Sequence, residues 1–150
     1  MRFFIKTCAL LSLIIFSIGA IAATVGQAKN TEDNILLRFA VLGDAEPKPE
    51  PKFPNLAAAV ADVNQFAENN RLDFVIGVGD IAHKGTLVQY ENATPILQQL
   101  NKPFYPIMGN EEHGSTETRF LQFANLWNKG KAEITATKYV LEFDSVALIF

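Results

Sequence analysis

Three apolar runs along this chain close in the same way, and that recurrence limits the fold more than any other feature. The run from Ile35 through Leu42 ends at Gly43-Asp44, the run from Asp73 through Val78 ends at Gly79-Asp80, and the run from Phe104 through Met108 ends at Gly109-Asn110. Near-continuous apolar runs of this length fit strands of a parallel sheet, covered on both faces. Parallel neighbours need a crossover between them, and helical spacing supplies one. Leu56, Val60, Val63 and Ala67 recur at that spacing up to Asn69, with Pro54 suited to the start. A second helix is expected around Leu87 to Leu100, with Pro95 marking a kink or a late start. Ala45 to Pro54 carries prolines at 47, 49, 51 and 54 and is therefore a loop.

Thr116 to Trp127 reads as a third helix that packs through Phe120, Phe123, Ala124 and Trp127. Two β-prone runs, Lys138 to Phe143 and Val146 to Phe150, flank Asp144-Ser145 and read as a hairpin. Strands alternating with helices and then a hairpin make the fold class α/β, with right-handed crossovers in the first part of a sheet that becomes mixed. A length of 150 residues supports one domain at most.

In open α/β sheets the carboxyl ends of the strands face the ligand crevice, so Asp44, Asp80 and Asn110 are expected to converge. The glycine before each lets the backbone turn sharply and approach a ligand closely. Two carboxylates and an amide oxygen are hard donors suited to divalent metals, and a carboxylate can bridge two ions about 3.5 to 4 Å apart.

Gly43-Asp44-Ala45-Glu46, Gly79-Asp80-Ile81-Ala82-His83-Lys84-Gly85 and Gly109-Asn110-Glu111-Glu112 resemble, in order and spacing, the motifs of the calcineurin-like metallophosphoesterases. The segment from Val88 to Asn110 is most similar to the cyclic-nucleotide phosphodiesterase branch. The resemblance spans residues 35–150 and implies the N-terminal half of a β-sheet sandwich flanked by helices. It also implies two divalent metal ions, drawn from manganese, iron, zinc and magnesium, with Asp44 on the first, Asp80 bridging and Asn110 on the second. The implied activity is hydrolysis of phosphate mono- or diesters, with a small phosphate ester as partner.

This sequence departs from the family pattern at two histidine positions. Glu46 stands in the first motif where the family has histidine, and offers an oxygen in place of a nitrogen, which favours manganese or magnesium. Glu111 stands in the third, where the family's histidine contacts the phosphate and protonates the leaving oxygen. An ordinary glutamate is ionised at neutral pH and donates a proton only if its pKa is raised. His113, two residues further on, is the second candidate for that acid, the alternative being a solvated loop residue. His83 and Lys84 are candidates for the site rim, again against a solvated reading. The family's later histidine and Gly-His-x-His segment do not occur before Phe150, so the domain is expected to be C-terminally truncated. With both motif histidines replaced, an inactive remnant or a binding domain is the alternative to an enzyme.

Residues 1–23 form a signal-peptide pattern: Arg2 and Lys6, an uncharged run from Cys8, and a small-residue ending at Ala20 to Ala23. Residues 24–34 are a polar spacer. The chain is expected to be exported, to periplasm or medium, and free of the membrane once cleaved; a retained anchor is the alternative. Cys8 is the single cysteine, so the mature part has neither disulfides nor thiol chemistry. Without Arg2 and Lys6 the chain carries 11 basic and 16 acidic residues, a net charge of −5, which gives no electrostatic reason to expect affinity for nucleic acid.

Overall fold

The computed structural model describes residues 35–48, 50 and 52–150. The signal-peptide and spacer segments expected over residues 1–34 lie outside the described residues. Among these residues five strands and three α-helices follow in order: β1 (Phe39–Leu42), α1 (Pro54–Asn69), β2 (Phe74–Gly77), α2 (Leu87–Leu97), β3 (Phe104–Pro106), α3 (Glu117–Trp127), β4 (Val140–Phe143) and β5 (Val146–Ile149). Strands β1, β2 and β3 form a parallel sheet in that spatial order, with Phe39 opposite Phe74 and Val75 opposite Phe104. β4 and β5 form an antiparallel pair in which Phe143 faces Val146. This is the mixed α/β architecture that alternation of strands and helices dictates.

Strand β2 is buried at every position, and its side chains alternate between two cores. Val75 joins Leu56 and Val60 of α1, Tyr90 and Leu97 of α2, and Phe123 and Trp127 of α3. Phe74 and Ile76 point the other way, into a cluster with Tyr105, Phe120 and Leu141. The hairpin covers this second face, where Phe143 stacks on Phe74 with ring centroids 4.9 Å apart. Tyr139, just before β4, donates its hydroxyl to the Pro106 carbonyl at 2.7 Å and fixes the hairpin to the end of β3.

The helix ends follow local chemistry. Pro54 occupies the first turn of α1, where a missing N–H costs nothing. Thr116 caps α3 by accepting the Arg119 N–H at 3.1 Å. Pro95 lies inside α2, and the Thr94 hydroxyl beside it donates to the Tyr90 carbonyl at 2.7 Å and accepts the Trp127 indole N–H at 3.0 Å.

The first run departs from expectation. It forms a strand over only Phe39–Leu42, with Phe39 41% and Val41 53% exposed. β1 lies at the edge of the sheet, and only Ala40 and Leu42 face the helical core, so the run is half-covered rather than enclosed. The residues before it are held by side chains: the Arg71 guanidinium donates to the Ile35 and Leu36 carbonyls at 2.9 and 3.1 Å, and Asp73 accepts the Arg38 N–H at 2.8 Å. The second helix is also shorter than expected, giving way to turns between Leu97 and Leu100.

Candidate active site

The parallel order of β1, β2 and β3 brings Asp44, Asp80 and Asn110 to one edge of one sheet. Backbone bonds carry the alignment past the strands: Val78 donates to Leu42 at 2.8 Å, Ile107 to Gly77 at 2.7 Å and Glu46 to Asp80 at 2.9 Å. The sharp turns are made partly by the acidic residues themselves, because Asp44 (φ 49°) and Asp80 (φ 52°) adopt the left-handed conformation. Aspartate enters that region more readily than most side chains, at a modest cost in strain. Of the preceding glycines only Gly79 has a positive φ, at 90°. Gly109 serves close approach instead, since a Cβ there would meet the Asp80 backbone nitrogen and carboxylate.

The loops after β2 and β3 are joined through one buried carboxylate. Glu112 is 1% exposed. Its Oε2 accepts the N–H of Gly109 at 2.7 Å and of Asp80 at 3.0 Å, and its Oε1 accepts those of Ile81 at 2.5 Å and Ala82 at 2.8 Å. Asp80 returns the contact, its Oδ1 accepting the Glu111 N–H at 2.8 Å. Burial pushes the Glu112 carboxyl above the usual glutamate range, while the four N–H donors pull it down. Short 3₁₀ turns, His83–Gly85 and Glu111–Gly114, follow these loops and pack together, with the Gly114 Cα against the Lys84 carbonyl.

The loop after β1 is held differently. The Lys48 ammonium lies 3.0 Å from Glu46 Oε1 and 3.3 Å from Glu111 Oε1, so it joins the two glutamates that stand at the altered motif positions. Glu111 Oε2 in turn lies 2.9 Å from His83 Nδ1. The hydrogen bond and charge of Lys48 hold the Glu111 carboxyl below the usual glutamate range, and His83 adds to the effect. A glutamate held ionised in this way does not supply the proton expected of a general acid. The Glu46 side chain is 9% exposed, and its Oε2 is buried without a hydrogen-bond partner among the described residues. A cleft of about 570 Å³ opens along this loop, lined by Asp44, Glu46, Lys48, Lys52 and Phe53.

The positions expected from the sequence are therefore brought together unequally. Asp80, Glu111 and His83 are linked by contacts, Glu46 reaches Glu111 only through Lys48, and Asp44 and Asn110 are exposed at their strand ends. Lys84 is exposed in its 3₁₀ turn, consistent with solvation. The His113 side chain lies outside the described residues. The two-metal centre implied by the resemblance does not fit this arrangement. Among the described residues no three His, Cys, Asp or Glu side chains converge closely enough to hold a metal ion. The physical reason is visible at two places: the Lys48 ammonium already sits between Glu46 and Glu111, and Asp80 Oδ1 is committed to a backbone N–H.

Sequence reasoning missed Lys48 and the role of Glu112. Lys48 carried no signal, because its partner Glu111 lies 63 residues away and nothing local marks the pair. Glu112 was visible as the last residue of the third motif, but its four backbone donors come from two loops that only the fold brings together.

The family model for calcineurin-like phosphoesterase matches residues 37–147. No curated protein matches the chain.

Proposed function

This chain belongs to the calcineurin-like phosphoesterase family, and on that premise we propose that it is an exported domain acting on small phosphate esters at the carboxyl edge of β1, β2 and β3. The observation that carries the reading is the placement of Asp44, Asp80 and Asn110 after three neighbouring parallel strands, where ligand crevices of α/β sheets lie. The segment between Val88 and Asn110 favours diesters within that class. Asp44, Glu46, Asp80 and Glu111 give this edge a negative charge that opposes a phosphate ester on its own, and an added divalent cation that supports turnover has to compete with Lys48 for the Glu46 and Glu111 carboxylates. The chain's own residues contribute position: Glu112 orients the turns that bear Asp80 and Asn110, and the Glu46 N–H fixes the first loop to the Asp80 carbonyl.

The test is to express the full chain with its own N-terminus, recover it from the periplasm or medium, and assay it with manganese against nitrophenyl phosphate mono- and diesters. Cation-dependent turnover that is lost in Asp80→Ala is expected. Absence of turnover by folded, exported protein would overturn hydrolysis. It would leave the second reading, a catalytically silent domain, which the bridging of Glu46 and Glu111 by Lys48 favours.

A further inference from the structure

We propose that Lys48 is a tethered cation that takes the place of a divalent ion between the first and third motifs, and that removing its charge opens a divalent-cation site at Glu46. The inference rests on the reading that this strand edge is the family's centre, and it explains why the residues present do not assemble a metal cage.

The geometry is that of a bridged carboxylate pair. One ammonium lies within 3.3 Å of oxygens from both glutamates, which reach it from loops after β1 and β3. Two carboxylates drawn to one point repel each other unless a cation lies between them, and a lysine with three donors can serve both. Glu46 adds an independent observation. Its side chain is nine-tenths buried, yet among the described residues Oε2 has no partner, so the ammonium satisfies only one of its two oxygens. A buried acceptor without a partner is costly, and a divalent cation, which coordinates carboxylates through one or both oxygens, relieves that cost where a single ammonium does not. Asp44, two residues before Glu46 and lining the same cleft, is an additional hard oxygen donor.

Lys48 is also placed to be displaced. Its side chain is 49% exposed and belongs to the proline-interrupted loop that lines the cleft, and among the described residues the two ion pairs are what hold its ammonium. The pair to Glu111, whose side chain is 25% exposed, is the weaker of the two, while the nearly buried Glu46 needs some cation beside it. Lysine and metal therefore compete for the same oxygens, and the lysine lowers the apparent affinity for the metal by occupying them.

The experiment is a manganese titration of the full chain by calorimetry and by paramagnetic resonance of free manganese. It compares the native protein with Lys48→Met, Lys48→Arg and the double variant Lys48→Met with Glu46→Gln. Lys48→Met is expected to bind manganese at least tenfold more tightly than the native chain. Lys48→Arg, which keeps the charge, should behave like the native chain, and the double variant should lose the gain. Equal affinity in the native and Lys48→Met proteins, or a gain that persists without the Glu46 carboxylate, would overturn the proposal. The readout is binding, so a chain that hydrolyses nothing can still bear the proposal out. A chain that hydrolyses phosphate esters but shows no change on losing the lysine charge refutes it alone.

Discussion

The two sides of the candidate site are built on opposite principles. After β2 and β3, a carboxylate that is 1% exposed gathers four backbone N–H groups from two loops, and Asp80 reciprocates through the Glu111 N–H. After β1, the loop that leads to α1 is tied to its neighbours by a backbone bond from Glu46, by the Gln89 amide on the Pro47 carbonyl and by the half-exposed ammonium of Lys48. The first arrangement satisfies groups that have no access to water, so its loss leaves them unpaired. The second is held by the half-exposed ammonium of Lys48 and keeps Glu111 within reach of water, so on that side its loss is more cheaply repaired, whereas Glu46 is nearly buried. The comparison separates a fixed platform from an adjustable wall. It places the fixed part under Asp80 and Asn110 and the adjustable part under Asp44 and Glu46.

The sharpest way to break this contrast is to remove the buried carboxylate. Glu112→Ala leaves four N–H groups without acceptors, and a loss of about 3 kcal/mol or more is expected. Urea unfolding monitored through Trp127, which is buried in the core, would report it. Glu112→Gln should fall between the two, because its amide oxygen accepts some of the N–H groups while its NH₂ faces the others. An alanine variant as stable as the native protein would show that the platform is held by something else. The next largest effect is expected at Gly85, which has a φ of 58° and whose Cα faces the Ser115 backbone nitrogen and the Glu112 carbonyl. Gly85→Ala adds a methyl group against backbone that cannot swing away, and should cost roughly 2 kcal/mol. A melting temperature unchanged from the native protein would show that the two 3₁₀ turns separate freely.

The platform was the more legible half. Apolar runs closing on Gly-Asp, Gly-Asp and Gly-Asn led to a parallel sheet whose strands end along one shared edge, because burial and strand order follow from hydrophobic pattern and crossover geometry. The helix through Phe120, Phe123, Ala124 and Trp127 and the hairpin around Asp144-Ser145 were legible for the same local reasons. Exposure of β1 was not, since Ile35 to Leu42 reads as apolar whether or not a layer covers its outer face. The wall escaped for a different reason. Lys48 meets Glu111 through contacts that depend on loop paths, and a lysine among prolines looks like any solvated charge. Periodicity records which face is buried. It does not record which charges meet across loops.

The smallest effect tests the wall itself. The hydrogen bond and charge from Lys48 are the main causes that lower the Glu111 carboxyl below the ordinary value of 4.5, with His83 contributing less. For a carboxyl whose folded-state pKa is depressed, the linked stability is fully present above the unfolded value and is lost as pH falls through the depressed one. The clasp therefore contributes at neutral pH and opens only in acid. Lys48→Met removes the largest cause, so a carboxyl-carbon NMR titration should show the Glu111 midpoint moving up toward 4.5. Because both partners stay accessible to solvent, the shift should also shrink with added salt in the native protein. A Glu111 midpoint that ignores both the lysine and the salt would mean that the glutamate is set by the platform below it, and the division between fixed and adjustable halves would have to be redrawn through Glu111.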